Sequence, residues 1–230
     1  MQNEEPRSIP RVALLSAIAG ALCLGLPAGL LFWLILAGEA GYSAVVDPAI
    51  DILRENGLRS VFLVMSSSVM WSYFLGRISG YGAWWRIATA TAVGILAAWF
   101  SPLANVDGIL YNYRPDLPIH MNYAASMAGL VGGVTLFVGV MYGLILRNVR
   151  ASLTLGLATS LASMLIMLLT IFVFDFLGIR VGTGNFAMSK VTLAGLMMSS
   201  IVGGMTLGVR FRWFVENQPS SSPRNDSTIP

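Results

Sequence analysis

Asp175 stands at the end of a long apolar run, between Phe174 and Phe176. A carboxylate at such a boundary either pairs with a cation or belongs to a polar path through a membrane. Arg180 and Lys190 follow it across the next loop, so an interfacial ion pair or the rim of a binding site is the expected chemistry. A second set closes the loop 107–120, where Tyr111, Tyr113, Arg114, Asp116 and His120 fall together. A third is hydroxylic: Ser66, Ser67 and Ser68 are adjacent, with Ser72 one turn beyond Ser68. The candidate binding residues are therefore Asp175, Arg180, Lys190, His120, Arg114 and Ser67.

Their spacing argues against catalysis. A serine nucleophile needs a base beside it. His120 is the only histidine, and it lies at a span edge while the serines sit about 10 Å deeper at 1.5 Å per residue. One histidine and one cysteine cannot assemble a zinc or haem site, so no metal and no cofactor are expected. Two nucleotide look-alikes occur near the last loop. Gly182-Thr183-Gly184-Asn185-Phe186-Ala187 has the dinucleotide spacing, and Gly184 to Lys190 half-resembles a phosphate loop. Neither follows a strand, and Ser189 and Val191 replace the glycine and hydroxyl that a phosphate loop requires. The glycines read as a turn.

The elements around these residues are read from charge. The 230 residues are 56% hydrophobic and 11% charged, with a mean hydropathy of +0.72. A soluble domain carries about 25% charged residues, so this surface could not be coated in water. The charges cluster between six uncharged runs, at 12–37, 60–76, 87–105, 122–146, 152–175 and 191–209. A helix needs roughly 20 apolar residues to cross a bilayer core of about 30 Å. The expectation is an all-α integral membrane protein, a bundle of six transmembrane helices spanning 12–212. Pro27 should kink the first helix. Cys23 reads as a small apolar side chain, since Leu22 precedes it where a lipoprotein site wants a small residue. The run around it also exceeds a signal peptide's apolar core of about 7–15 residues.

Arginines set the expected orientation. With 1–11 cytoplasmic, the inner segments hold Arg7, Arg11, Arg77, Arg86, Arg147, Arg150, Arg210, Arg212 and Arg224. The outer loops hold Arg54, Arg59, Arg114, Arg180 and Lys190. Nine against five places both termini in the cytoplasm. The segment 213–230 reads as a disordered cytoplasmic tail, and 47–57 as a short amphipathic helix on the outer surface. Trp84, Trp85, Trp99 and Trp213 fall at headgroup level. A net charge of +3 divided among span ends gives no patch for nucleic acid. Lysine is nearly absent beside arginine, a habit of GC-rich bacterial genomes, which points to a bacterial plasma (inner) membrane.

Two patterns bear on packing. Val131-Gly132-Gly133-Val134-Thr135-Leu136 is echoed by Val202-Gly203-Gly204-Met205-Thr206-Leu207, and at the same offset Met70-Trp71 meets Met141-Tyr142. The odd spans each start after an arginine, at Arg11, Arg86 and Arg150. Three repeated helical hairpins are the reading this suggests. Small residues at four-residue spacing, Gly129, Gly133, Gly139 and Gly143 in the fourth span and Gly204 and Gly208 in the sixth, let helix backbones approach closely.

Ala13, Ala17 and Ala21 give the first helix a small-residue face for a partner. In size and arrangement the expected protein resembles the small six-helix substrate-binding subunits of energy-coupling-factor vitamin transporters. That resemblance implies a non-enzymatic transport or small-molecule-binding subunit whose ligand is unspecified. The competing reading is a structural or accessory subunit of a larger membrane complex or a homo-oligomer. A membrane enzyme on lipid-linked substrates is a third.

Overall fold

The computed structural model describes residues 8–27, 65–102, 119–178 and 185–217. They form six helices and, among themselves, no strand. We number them α1 (Ile9–Gly20, continued by a π turn at Ala21–Gly25), α2 (65–79), α3 (Trp84–Trp99), α4 (Ile119–Ile145), α5 (Val149–Phe176) and α6 (Asn185–Glu216). Three stretches, Ala124–Ile145, Val149–Phe176 and Val191–Glu216, are long and apolar enough to cross a membrane. The segments 28–64, 103–118 and 218–230, including the expected surface helix and Arg114, lie outside the described residues, as do 179–184 with Arg180.

Proline explains the break in α1. Its ring crowds the carbonyl four residues earlier and it has no N–H to donate. One turn before Pro27 the helix widens, and the Leu26 N–H donates to the Ala21 carbonyl, five residues back. The kink expected at Pro27 thus takes the form of a π bulge.

Neighbouring helices run antiparallel. Along α4 and α5, Gly143 faces Ser152, Gly139 faces Gly156, and Gly132 faces Ser160 and Met164. Along α5 and α6, Ser163 faces Gly203 and Met167 faces Gly195. Along α1 and α6, Ser16 faces Gly208 and Gly20 faces Gly204. Along α3 and α4, Gly94 lies on Val138 and Thr91 meets Tyr142. In each pair one number rises as the other falls, so the ends alternate. The even helices α2, α4 and α6 then run parallel and meet where Trp71, Tyr142 and Phe211 are all fully buried.

A tight connection sets the α4–α5 register. The Asn148 N–H returns to the Gly143 carbonyl at 3.1 Å, and the Arg147 N–H to Leu144 at 2.9 Å, a Schellman closure. Arg147 takes the left-handed conformation usually given to glycine, with φ 51°. This costs about 1 kcal/mol, partly offset because a cation at a helix C-terminus is favourable. Asn148 then caps α5, its side-chain oxygen accepting from the Ala151 N–H at 3.0 Å. At its far end α5 stops at Gly178, φ 75°.

Several boundaries differ from the sequence reading, and the third span, expected to reach 105, ends as a helix at Trp99, with 100–102 in a turn. His120 lies on helix α4 and not in a loop. Helix α6 runs on through Trp213–Glu216, residues assigned to the tail. The reason is burial: Phe211 and Phe214 turn inward while Arg210 and Trp213 are exposed, so one helical face continues the core.

Candidate functional site

Antiparallel alternation gathers Arg11, Arg77, Arg86, Arg147, Arg150, Arg210 and Arg212 at one end of the bundle, each at a helix terminus or turn. The aromatic edge contact of Tyr81, in the α2–α3 turn, with Phe211 of α6 (centroids 5.7 Å) ties two of these termini together. Arg212 pairs with Glu216, four residues on along α6.

Roughly 8 Å inside that arginine end, five residues along each helix, lies a closed polar cluster. The Trp71 indole N–H donates to the Tyr142 hydroxyl at 2.9 Å. That hydroxyl shares a hydrogen bond with the Thr91 hydroxyl at 2.6 Å, and Thr91 approaches Ser72 at 3.3 Å. Thr91 and Ser72 also return to their own helices, at the Ile87 and Ser68 carbonyls. The Tyr142 ring packs edge-on against Phe211, centroids 5.5 Å apart. All four polar residues are essentially inaccessible to solvent. The cluster links α2, α3 and α4, and its donors and acceptors are spent on one another. Enclosed and bonded in this way, it positions helices.

Hydroxyls also join α5 to its neighbours. Ser199 donates to the Ser163 carbonyl at 3.1 Å, and Ser163 lies 3.5 Å from the Ser199 carbonyl, a reciprocal pair across α5 and α6. Ser160 donates to the Gly132 carbonyl of α4 at 2.8 Å. In an apolar surround such bonds are worth about 0.6 kcal/mol each, since helices separated in the membrane find other partners.

Asp175, His120 and Lys190 lie at the end of α4, α5 and α6 away from the arginines, where Ala124, Ile171 and Val191 pack together, and Ser67 lies apart from them. Asp175 lies in the last turn of α5, where with Phe172, Val173 and Phe176 it lines a shallow, open depression. Its backbone carbonyl accepts from the Gly178 N–H at 3.0 Å, closing the helix, while the Leu177 N–H returns to the Val173 carbonyl. Lys190 lies on α6 and His120 on α4, both at the end away from the arginines. Arg114 and Arg180 are outside the described residues. Ser67 is buried in α2, one turn from Trp71. Among the described residues no three His, Cys, Asp or Glu side chains come close enough to hold a metal.

The packing glycines are placed as follows. Gly139 and Gly143 lie against α5, and Gly204 and Gly208 against α1, where Gly208 abuts the Ser16 side chain. Gly129 and Gly133 are buried on α4. The sequence reading did not identify Thr91 or the Trp71–Tyr142 bond, although both aromatic residues occupy the same position of the suggested repeat. Nothing in Thr91 alone distinguishes it from Thr89, which is exposed and bonds its own helix at Trp85.

No protein-family model, no curated protein and no solved structure matches the chain.

Proposed function

We propose that the protein is an integral membrane protein of six spans with both termini in the cytoplasm, at the arginine end. Within the bacterial plasma membrane it acts as a non-enzymatic subunit whose body serves assembly with other membrane proteins. The observation that carries the assembly reading is the direct backbone contact of α4 with α5 and of α6 with α1. A Cβ at Gly139 would stand 2.7 Å from the Gly156 backbone, and one at Gly204 3.0 Å from Gly20. The contact of Trp71 with Tyr142, equivalent positions of successive hairpins, supports the three-hairpin arrangement.

A second reading, a transport or small-molecule-binding subunit, draws on the depression at Asp175, about 440 Å³, with Arg180 and Lys190 as candidate cations nearby in sequence. Native mass spectrometry after mild-detergent purification separates the two. Stoichiometric membrane subunits without ligand are expected. A retained small molecule, or a co-purifying ATPase pair, would instead establish the binding subunit and direct attention to Asp175.

The topology has its own test. In a Cys23→Ala background, Ala83→Cys and Leu177→Cys place single thiols at opposite ends of the bundle. A membrane-impermeant maleimide applied to intact cells should label Leu177→Cys and spare Ala83→Cys until the membrane is opened. Equal labelling of both, or the reverse order, would overturn the proposed orientation.

A further inference from the structure

On the outward face of α3 and α4 lies a groove of about 330 Å³, lined by Trp85, Thr89, Ala90, Val93, Met141 and Leu144, with Arg86 at its mouth. Its origin is the helix crossing. Gly94 brings α3 onto the Val138 backbone, with the Cβ position 2.7 Å from the Val138 Cα. On the inner side Thr91 and Tyr142 hold the same two helices together. Toward the arginine end the groove opens between the outer faces, with the short side chain of the buried Ala90 in its lining. The walls are apolar, and the Thr89 hydroxyl is spent on the Trp85 carbonyl at 3.0 Å. At the mouth the Arg86 guanidinium lies over the Trp85 ring, 5.2 Å from its centroid, and both side chains are exposed. Arg147 follows two residues beyond Ile145, the last groove residue on α4.

An elongated apolar slot with a cation at one end is complementary to an amphiphile with an acyl chain and an anionic head. We infer that this groove is a binding site for one anionic phospholipid, its chain along Val93, Ala90 and Met141 and its phosphate at Arg86. Trp85 then serves two purposes. Its ring sits at headgroup depth, where indoles are favoured, and it holds the guanidinium over the slot. Basic mouths between spans on the cytoplasmic side are the setting in which acidic lipids are held. This inference rests on the membrane placement proposed above and not on the assembly or transport role.

The test is native mass spectrometry of delipidated protein in mild detergent, titrated with phosphatidylglycerol or phosphatidylcholine, and separately with glycerol phosphate as the head alone. One phosphatidylglycerol should be retained about fivefold better than phosphatidylcholine, the effect of one basic side chain on an anionic lipid. Arg86→Gln should abolish that preference and Arg86→Lys should keep most of it. Val93→Trp, which fills the slot, should weaken retention of both lipids, with glycerol phosphate binding poorly throughout. Arg150→Gln, at the same end but away from the groove, should leave the preference intact. Melting temperatures of the variants check that each is folded. Equal retention of the two lipids by the unaltered protein would overturn the site. So would a preference that survives Arg86→Gln, or one that Arg150→Gln removes equally. Loss of lipid preference in a protein that still resists alkaline extraction from membranes would sink the site and leave the membrane placement standing.

Discussion

Gly143→Ala should cost the protein about 3 kcal/mol and much of its folded yield, the upper part of the range for overpacking a closed interface. The added methyl would fall on the backbone nitrogen and Cα of Ser152, with no flexible side-chain end to move aside. Elsewhere a helix could slide to relieve such a clash. Here the Schellman closure at Arg147-Asn148 and the Asn148 cap fix α5 within one turn of the contact. The substitution therefore has to break the hairpin register or separate α4 from α5. Fluorescence-detected size exclusion and a thermal melt in detergent would measure it. Gly82→Ala is the control, since a Cβ there meets nothing within 4 Å and its backbone φ is not in the left-handed region. That variant should stay within about 0.5 kcal/mol of the parent, as ordinary surface changes do. A Gly143→Ala protein melting with the Gly82→Ala control would mean that α4 and α5 are not in backbone contact.

The same contact shows what the residues alone disclose. Four-residue spacing marks Gly139 and Gly143 as one face of a helix, because that periodicity is a property of a single helix. It does not disclose Gly156 or Ser152 as the surfaces they meet, since partner choice depends on the relative shift of two helices. The apolar runs around α4, α5 and α6 were legible for a similar reason: hydropathy over a window sums many residues of one sign. Helix ends were less so. Arg210 and Arg212 look like the edge of a span, yet charged side chains alternate there with Phe211 and Phe214, which are buried, and the helix continues to Glu216. A window average dilutes that alternation. Candidate site residues chosen for their chemistry fared differently from those chosen for spacing. Asp175 is at a helix terminus beside apolar rings, while Ser67 is buried far from it along the helices, so their chemical likeness did not make them neighbours.

The closed cluster makes the second strong prediction, and its sign depends on which group loses its partner. Tyr142→Phe keeps the ring against Phe211 but removes the oxygen that accepts the Trp71 N–H. Thr91 keeps the Ile87 carbonyl, so the indole N–H is the group left buried without an acceptor. An orphaned donor costs about 1–3 kcal/mol, more than the net worth of the bond itself. We expect a loss of about 2 kcal/mol. Trp71→Phe removes the donor as well as part of a buried ring, leaving a cavity but no orphan, because Tyr142 still bonds Thr91. The double variant should then be less damaged than the two losses added together, by about 1 kcal/mol, since the phenylalanine at 71 no longer needs an oxygen at 142. Unfolding of all four proteins in one detergent completes the cycle. Strict additivity would indicate that the two side chains do not meet, and would remove the main polar tie between α2 and α4. A coupling near 1 kcal/mol would exceed the average of about 0.6 kcal/mol for hydrogen bonds between membrane helices. The physical reason is enclosure: Trp71, Tyr142, Thr91 and Ser72 are shut off together, so neither water nor lipid can take the place of the missing oxygen.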